Sequence, residues 1–117
     1  MKITLLDGPM GTRLIEQGYA CPAPAWSAQV LVDYPNAISQ IHAEYVQAGA
    51  TIHTANTFRT RSNSVGEKWA ELTEKAVRIA KDSCSKEHKV AGAIDPIADC
   101  YRPDLSPSNP ILEHQNL

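Results

Sequence analysis

The chain has 117 residues, 43% of them apolar and 21% charged, and its 11 Lys plus Arg against 13 Asp plus Glu give a formal charge of -2. That balance supports a packed core and excludes a disordered chain, and it gives no long-range attraction for nucleic acid or anionic lipid. No apolar run approaches the roughly 20 residues of a membrane-spanning helix, so a soluble, cytoplasmic protein without a nucleic-acid or membrane partner is expected.

The first predicted element is a short strand, Ile3-Thr-Leu-Leu6, ended by the turn signal Asp7-Gly8-Pro9. It stops too soon for a secretory apolar core of about 7–15 residues. Residues 10–18 follow as a helix with Met10, Leu14 and Ile15 near helical spacing and Gly18 as its stop. Residues 19–26, with Pro22 and Pro24, read as loop. From Pro35 to Gln47, Ile38, Ile41, Tyr45 and Val46 share one helix face, Pro35 suits the first turn and Gly49 the cap. A second strand is predicted at residues 50–54, rich in β-branched residues. Ser64-Val-Gly-Glu67 has capping-box spacing, which predicts a helix to about Ser85 with Trp69, Leu72, Ala76, Ile79 and Ala80 on its buried face. Residues 89–94 form a third strand, Asp95 to Pro110 a long loop, and Ile111 starts something further.

The order β-α-α-β-α-β points to an α/β fold of parallel β/α units with right-handed crossovers. A parallel sheet needs both faces covered, and three strands with their helices leave an edge open, so the architecture reads as incomplete.

In such folds functional groups gather at the carboxyl ends of the strands. Three polar clusters fall there: Asp7 to Thr12, Thr54 to Phe58, and Asp95 with Asp99 to Asp104. Asp7 supports two readings, a carboxylate that accepts a ligand ammonium and a turn aspartate bonded to its own backbone. Gly8 and Gly11 either let backbone approach a ligand or make the turn; the G-x-G-x-x-G dinucleotide spacing is missing. Thr54, Asn56 and Thr57 can orient a small polar substrate or cap the strand end. Trp26 and Ser27, after the first helix, wall a pocket or simply pack. His42 and His53 read as structural, without a partner at metal spacing, and His88 and His114 as surface residues. Cys21, Cys84 and Cys100 are odd in number and irregular in spacing, so neither a disulfide framework nor a zinc site made from these three is expected.

Together these stretches resemble the homocysteine S-methyltransferase family. The match runs through Leu5-Leu-Asp-Gly-Pro-Met-Gly-Thr-Arg-Leu14, Trp26-Ser-Ala28, His42-Ala-Glu-Tyr45, Ala48-Gly-Ala50, Thr54-Ala-Asn-Thr-Phe58, Val90-Ala-Gly-Ala-Ile94 and Asp99-Cys-Tyr-Arg-Pro-Asp-Leu105, in family order over nearly the whole chain. The resemblance implies that residues 1–117 are the N-terminal part of a homocysteine-binding TIM (β/α)8 barrel, its first three β/α units. It implies methyl transfer from a small activated donor to the thiol of homocysteine, giving methionine, with zinc binding the sulfur and favouring the thiolate. Asp7 and Gly8 match positions that hold the amino acid end of homocysteine, Trp26 and Ser27 match pocket-lining positions, and Thr54, Asn56 and Thr57 match polar positions near the substrate. The family's zinc ligands are later cysteines that do not carry over, so no catalytic or metal residue is assigned and the chain alone is expected to be inactive. Asp95 stands where the family has glycine, which puts the backbone of this strand end in question. The rival expectations are a non-catalytic fragment that self-associates through an exposed sheet edge and a small α/β module binding another amino acid.

Overall fold

The computed structural model describes residues 1–115. Helix α1 spans Met10–Glu16, α2 Ser27–Asp33 and α3 Pro35–Gln47; strand β1 is Ile52–Thr54, α4 Ser62–Val65, α5 Trp69–Ser83, β2 Lys89–Ala91 and α6 Pro110–Gln115, with single 3-10 turns at Gly66–Lys68 and Pro103–Leu105. β1 and β2 pair in parallel with Ile52 opposite Lys89, His53 opposite Val90 and Thr54 opposite Ala91. On the other side of β1, Leu6 bridges Ile52, also in parallel. The three segments therefore lie side by side in chain order.

The first predicted strand is thus reduced to one bridge. The Thr51 N–H donates to the Leu5 carbonyl and the Asp7 N–H to the Ile52 carbonyl, both at 3.0 Å. Leu6 lies on an outer edge and is 68% exposed, so burial does nothing to extend the pairing toward Ile3. That single ladder is enough to place Asp7 at the carboxyl end of its segment, beside the end of β1.

The core lies among the helices. Leu14 of α1, Val30 and Leu31 of α2, Ala37, Ile38 and Ile41 of α3, and Leu72 and Ala76 of α5 form one buried cluster. Fully burying a Leu or Ile stabilises by about 1.5–3 kcal/mol, and this cluster holds the four helices together on one face of the strands. α2 is absent from the predicted elements. A seven-residue helix has no stability of its own in water, and α2 forms because Ala28, Val30 and Leu31 are buried against its neighbours.

The expected single helix from the Ser64 capping box is also corrected. Ser64 lies inside α4, and Gly66 then takes φ 70, ψ -149, a region open essentially to glycine alone. The chain restarts through a 3-10 turn into α5. Leu72, Ala76 and Ala80 face the core as predicted, whereas Trp69, first residue of α5 and at the rim, is exposed. The question raised by Asp95 resolves simply: it is not among the residues with positive φ, so the strand end accommodates a side chain there.

Candidate functional site

The carboxyl ends of the three parallel segments converge on one cavity of about 440 Å³, within the usual range of about 300–1,000 Å³ for small-molecule pockets. Asp7, Gly8, Trp26, Ser27, Thr54 and Asn56 all line it. Thr57, the remaining predicted site residue, does not.

Asp7 is held by its neighbour in the sheet. The Thr54 backbone N–H donates to Asp7 Oδ2 at 2.6 Å, and the Thr54 hydroxyl donates to Oδ1 at 3.1 Å. Both bonds follow from the parallel pairing at Leu6 and Ile52, which sets the two strand ends level. The carboxylate is half-buried. Gly8 is required here by close approach. A Cβ on it would lie 2.7 Å from the Tyr45 Oη and 2.8 Å from Cε1 and Cζ. The tyrosine occupies that space because its hydroxyl donates to the Pro9 carbonyl at 2.9 Å, fastening the turn to α3.

Across the cavity, Ser27 and Asn56 form a closed pair. The Ser27 hydroxyl donates to Asn56 Oδ1 at 2.6 Å, and Asn56 Nδ2 donates back to the Ser27 carbonyl at 3.1 Å. Trp26 precedes this pair with φ 50, ψ -128, a conformation that costs on the order of 1–3 kcal/mol for a bulky residue. It is held by its N–H, which donates to the Pro22 carbonyl at 2.7 Å. The Arg59 guanidinium lies 6.0 Å from the Trp26 ring centre and 5.1 Å from that of Phe58.

Thr57 has a different task. Its hydroxyl donates to the Ala93 carbonyl and accepts from the Ala93 N–H, both at 2.8 Å. The side chain joins the segments after β1 and β2.

The lining also includes Arg59, which was not singled out from the sequence, Cys21, and Cys100 and Tyr101 from the third polar cluster. Arg59 belongs to a buried ion cluster. Its Nη1 is 3.0 Å from Asp95 Oδ2, and Arg61 Nε is 3.2 Å from the same oxygen. Burial pushes the Asp95 carboxyl up, while Arg61 and then Arg59 pull it back down. A signal was available: both partners follow strands that are neighbours in a parallel sheet, so their polar ends must meet.

The histidine expectations are partly overturned. His42 and His53 are both fully buried, consistent with structural residues. His53 nevertheless has a partner, for its Nε2 lies 2.9 Å from Nδ1 of His88, which is half-buried and not on the open surface. Burial lowers the pKa of His42 and of His53, the latter also by the facing His88.

A thiolate zinc cage at the cavity does not fit these residues. Cys21 and Cys100 line it, but among the described residues no cluster of potential ligand atoms includes either of them. No step through a metal is derived at this cavity.

Among the described residues, no helix is long and apolar enough to cross a membrane. A family model described as homocysteine S-methyltransferase matches residues 4–117. The homocysteine S-methyltransferase of Escherichia coli (strain K12) is 30% identical over 109 residues, covering 80% of this chain and 35% of that protein. The S-methylmethionine–homocysteine S-methyltransferase BHMT2 of Pongo abelii is 27% identical over 94 residues, covering 80% of this chain and 26% of the relative. The crystal structure of the homocysteine methyltransferase MmuM from Escherichia coli, metallated form, superposes with a TM-score of 0.76 at 29% identity, covering 92% of this chain and 45% of that one. The chain thus spans between 26% and 45% of the length of these relatives. With the family model matched over almost its whole length and a mixed α/β fold that follows a solved member, this chain belongs to the homocysteine S-methyltransferase family.

Proposed function

We propose that the cavity at the Asp7–Thr54 corner binds homocysteine by its amino acid end, within the first three β/α units of a (β/α)8 barrel. The observation that carries this reading is the pair of bonds from Thr54 to the Asp7 carboxylate. An ionised carboxylate has about four acceptor positions; Thr54 takes two and fixes the group in place, and the others remain for a ligand ammonium. Such a charge-assisted bond is worth about 1.5–3 kcal/mol. Trp26 walls the cavity, the Ser27–Asn56 pair supplies polar groups opposite Asp7, and Gly8 keeps the approach to Asp7 narrow. Thr57 supports the site from outside by tying the two strand ends together.

The reaction at such a site is methyl transfer in the cytoplasm. A sulfur electron pair of homocysteine attacks the methyl carbon of an activated donor, such as the S-methylmethionine named for several relatives. The new S–C bond forms as the methyl–donor bond breaks and its electron pair leaves with the donor; the thiol proton of homocysteine is released to solvent, and methionine results. A metal would supply this step by favouring the thiolate; the described residues that line this cavity gather no thiolate cage for one, so the chain alone binds without turning over.

Calorimetric titration with homocysteine and with unrelated amino acids tests the proposal. Homocysteine should give a saturable heat that Asp7→Asn reduces at least tenfold in affinity, because the ammonium loses its charged partner. Equal binding of unrelated amino acids, or an unchanged affinity in Asp7→Asn, would refute it. Methyl transfer by the purified 117-residue chain would refute its inactivity.

A further inference from the structure

Away from the cavity, the turn between α5 and β2 brings a second set of metal-binding groups together. Cys84 caps the C-terminus of α5, His88 immediately precedes β2, and His53 sits at the centre of β1 with its side chain turned toward them. One ligand atom from each, two imidazole nitrogens and a sulfur, lie within 4.8 Å of one another. None of the three lines the cavity.

We propose that His53, Cys84 and His88 form a site for a borderline-soft divalent cation of the zinc type. The donor set is the first reason. Two imidazoles with one thiolate select Zn2+ over the hard cations Mg2+ and Ca2+, which take oxygen ligands. Spacing is the second. A tetrahedral zinc ion with Zn–N near 2.0–2.1 Å and Zn–S near 2.3 Å sets its ligand atoms about 3.3–3.6 Å apart. The two nitrogens already stand at 2.9 Å, so they need to open by only a few tenths of an ångström, and with all three atoms within 4.8 Å of one another no pair needs to close by more than about 1.5 Å.

The surroundings are the third reason. His53 is fully buried, and its Nδ1 is without a hydrogen bond of ordinary geometry. Cys84 and His88 are half-buried and give access from solvent. The Cys84 thiol is committed only to a weak contact with the Lys81 carbonyl at 3.7 Å. Cys84-Ser-Lys-Glu-His88 is also a local two-ligand spacing, and the tight turn sets the order in which the ligands reach His53.

Loading the site balances simply. The thiol proton of Cys84 leaves to solvent as the metal–sulfur bond forms. The proton shared between His53 Nε2 and His88 Nδ1 moves to an outer ring nitrogen, so both imidazoles stay neutral. One proton is released per metal, and water completes the fourth position.

Titration of the 117-residue chain with Co2+ and then Zn2+ tests the assignment. The expected result is one equivalent of Co2+ with the visible bands of a tetrahedral ion and a thiolate charge-transfer band, displaced by Zn2+, with one proton released. Cys84→Ser should abolish the charge-transfer band, and His88→Ala should weaken binding at least tenfold while circular dichroism keeps the fold in view. An octahedral spectrum, a thiolate band that survives Cys84→Ser, or the absence of saturable binding at micromolar metal would overturn it.

Discussion

Gly8 and Tyr45 show how a single contact shapes the corner where Asp7 sits. Gly8→Ala places a methyl 2.7–2.8 Å from the Tyr45 ring, so the ring must move and the bond to the Pro9 carbonyl stretches or breaks. Overpacking of this kind costs about 1–3 kcal/mol. Chemical denaturation should show a loss near 2 kcal/mol, and a loss under about 0.5 kcal/mol would mean that the turn yields freely. His42 carries a pH-dependent cost. It is fully buried with both ring nitrogens unpartnered, and burial holds its folded pKa below the ordinary 6.5. The unfolded chain therefore takes up a proton that the folded chain refuses. Stability contributed by the neutral ring is complete above pH 6.5 and is lost as pH falls below that value toward the lowered folded pKa. His42→Leu, similar in volume, should flatten the dependence of the unfolding midpoint between about pH 7 and pH 5, leaving the slope from His53 and Asp95. An unchanged slope would assign the effect elsewhere. At this scale the sequence was informative about identity and weak on partners. Asp7, Thr54 and Asn56 were legible as polar groups at strand ends, and Ser27 as a polar group in the loop after the first helix. That Thr57 would spend its hydroxyl on Ala93 depends on a contact 36 residues apart that no local pattern encodes, and the meeting of Arg59 with Asp95 follows only from the order of the strands.

Elements with strong periodicity and clear boundaries were the readable ones. α3 follows from Ile38, Ile41 and Tyr45 on one face, with Pro35 at its start, and the structure gives Pro35–Gln47. β1 and β2 fall inside the predicted strands but are only three residues each. Their length is set by how far the parallel partners stay level, not by β-propensity. α2 was unreadable because its Val-rich sequence argues weakly for helix, and the burial that decides the matter comes from α1, α3 and α5. Local signals also lose outright at Gly66. The capping-box spacing at Ser64 favours one continuous helix, but the chain breaks where glycine alone tolerates φ 70, ψ -149. Gly66→Ala should therefore destabilise by about 1–3 kcal/mol although nothing lies within 4 Å of its would-be Cβ. Thermal melts of Gly66→Ala against the nearby Ala70→Gly separate the two effects. Loss of stability with an intact far-ultraviolet helix signal identifies backbone strain. A rise in both stability and helix content would mean that α4 and α5 merge into the helix the sequence favours.

On the scale of the whole molecule, helices cover one face of the parallel segments and leave apolar surface beyond them. Leu6 is 68% exposed and Ile94 84%, with Ile3 and Leu5 nearby in sequence also exposed. β1 is the central segment, so the Leu6 segment and β2 each keep an outer edge with unpaired backbone groups. A closed barrel has no such edges, and the relatives matched here are two to four times longer than the aligned part. The 117-residue chain in isolation should therefore associate with copies of itself, because edge pairing and burial of Leu6 and Ile94 are both favourable and no described residue covers them. Static light scattering across a concentration series should show a mass that grows with concentration. Ile94→Lys should lower that mass by placing a charge on the surface that would be buried, while a surface change of this type alters monomer stability by no more than about 0.5 kcal/mol. A monomeric mass at every concentration, with one cooperative melt, would show instead that the open edges are self-sufficient and that the helical core alone sets the boundary of this unit.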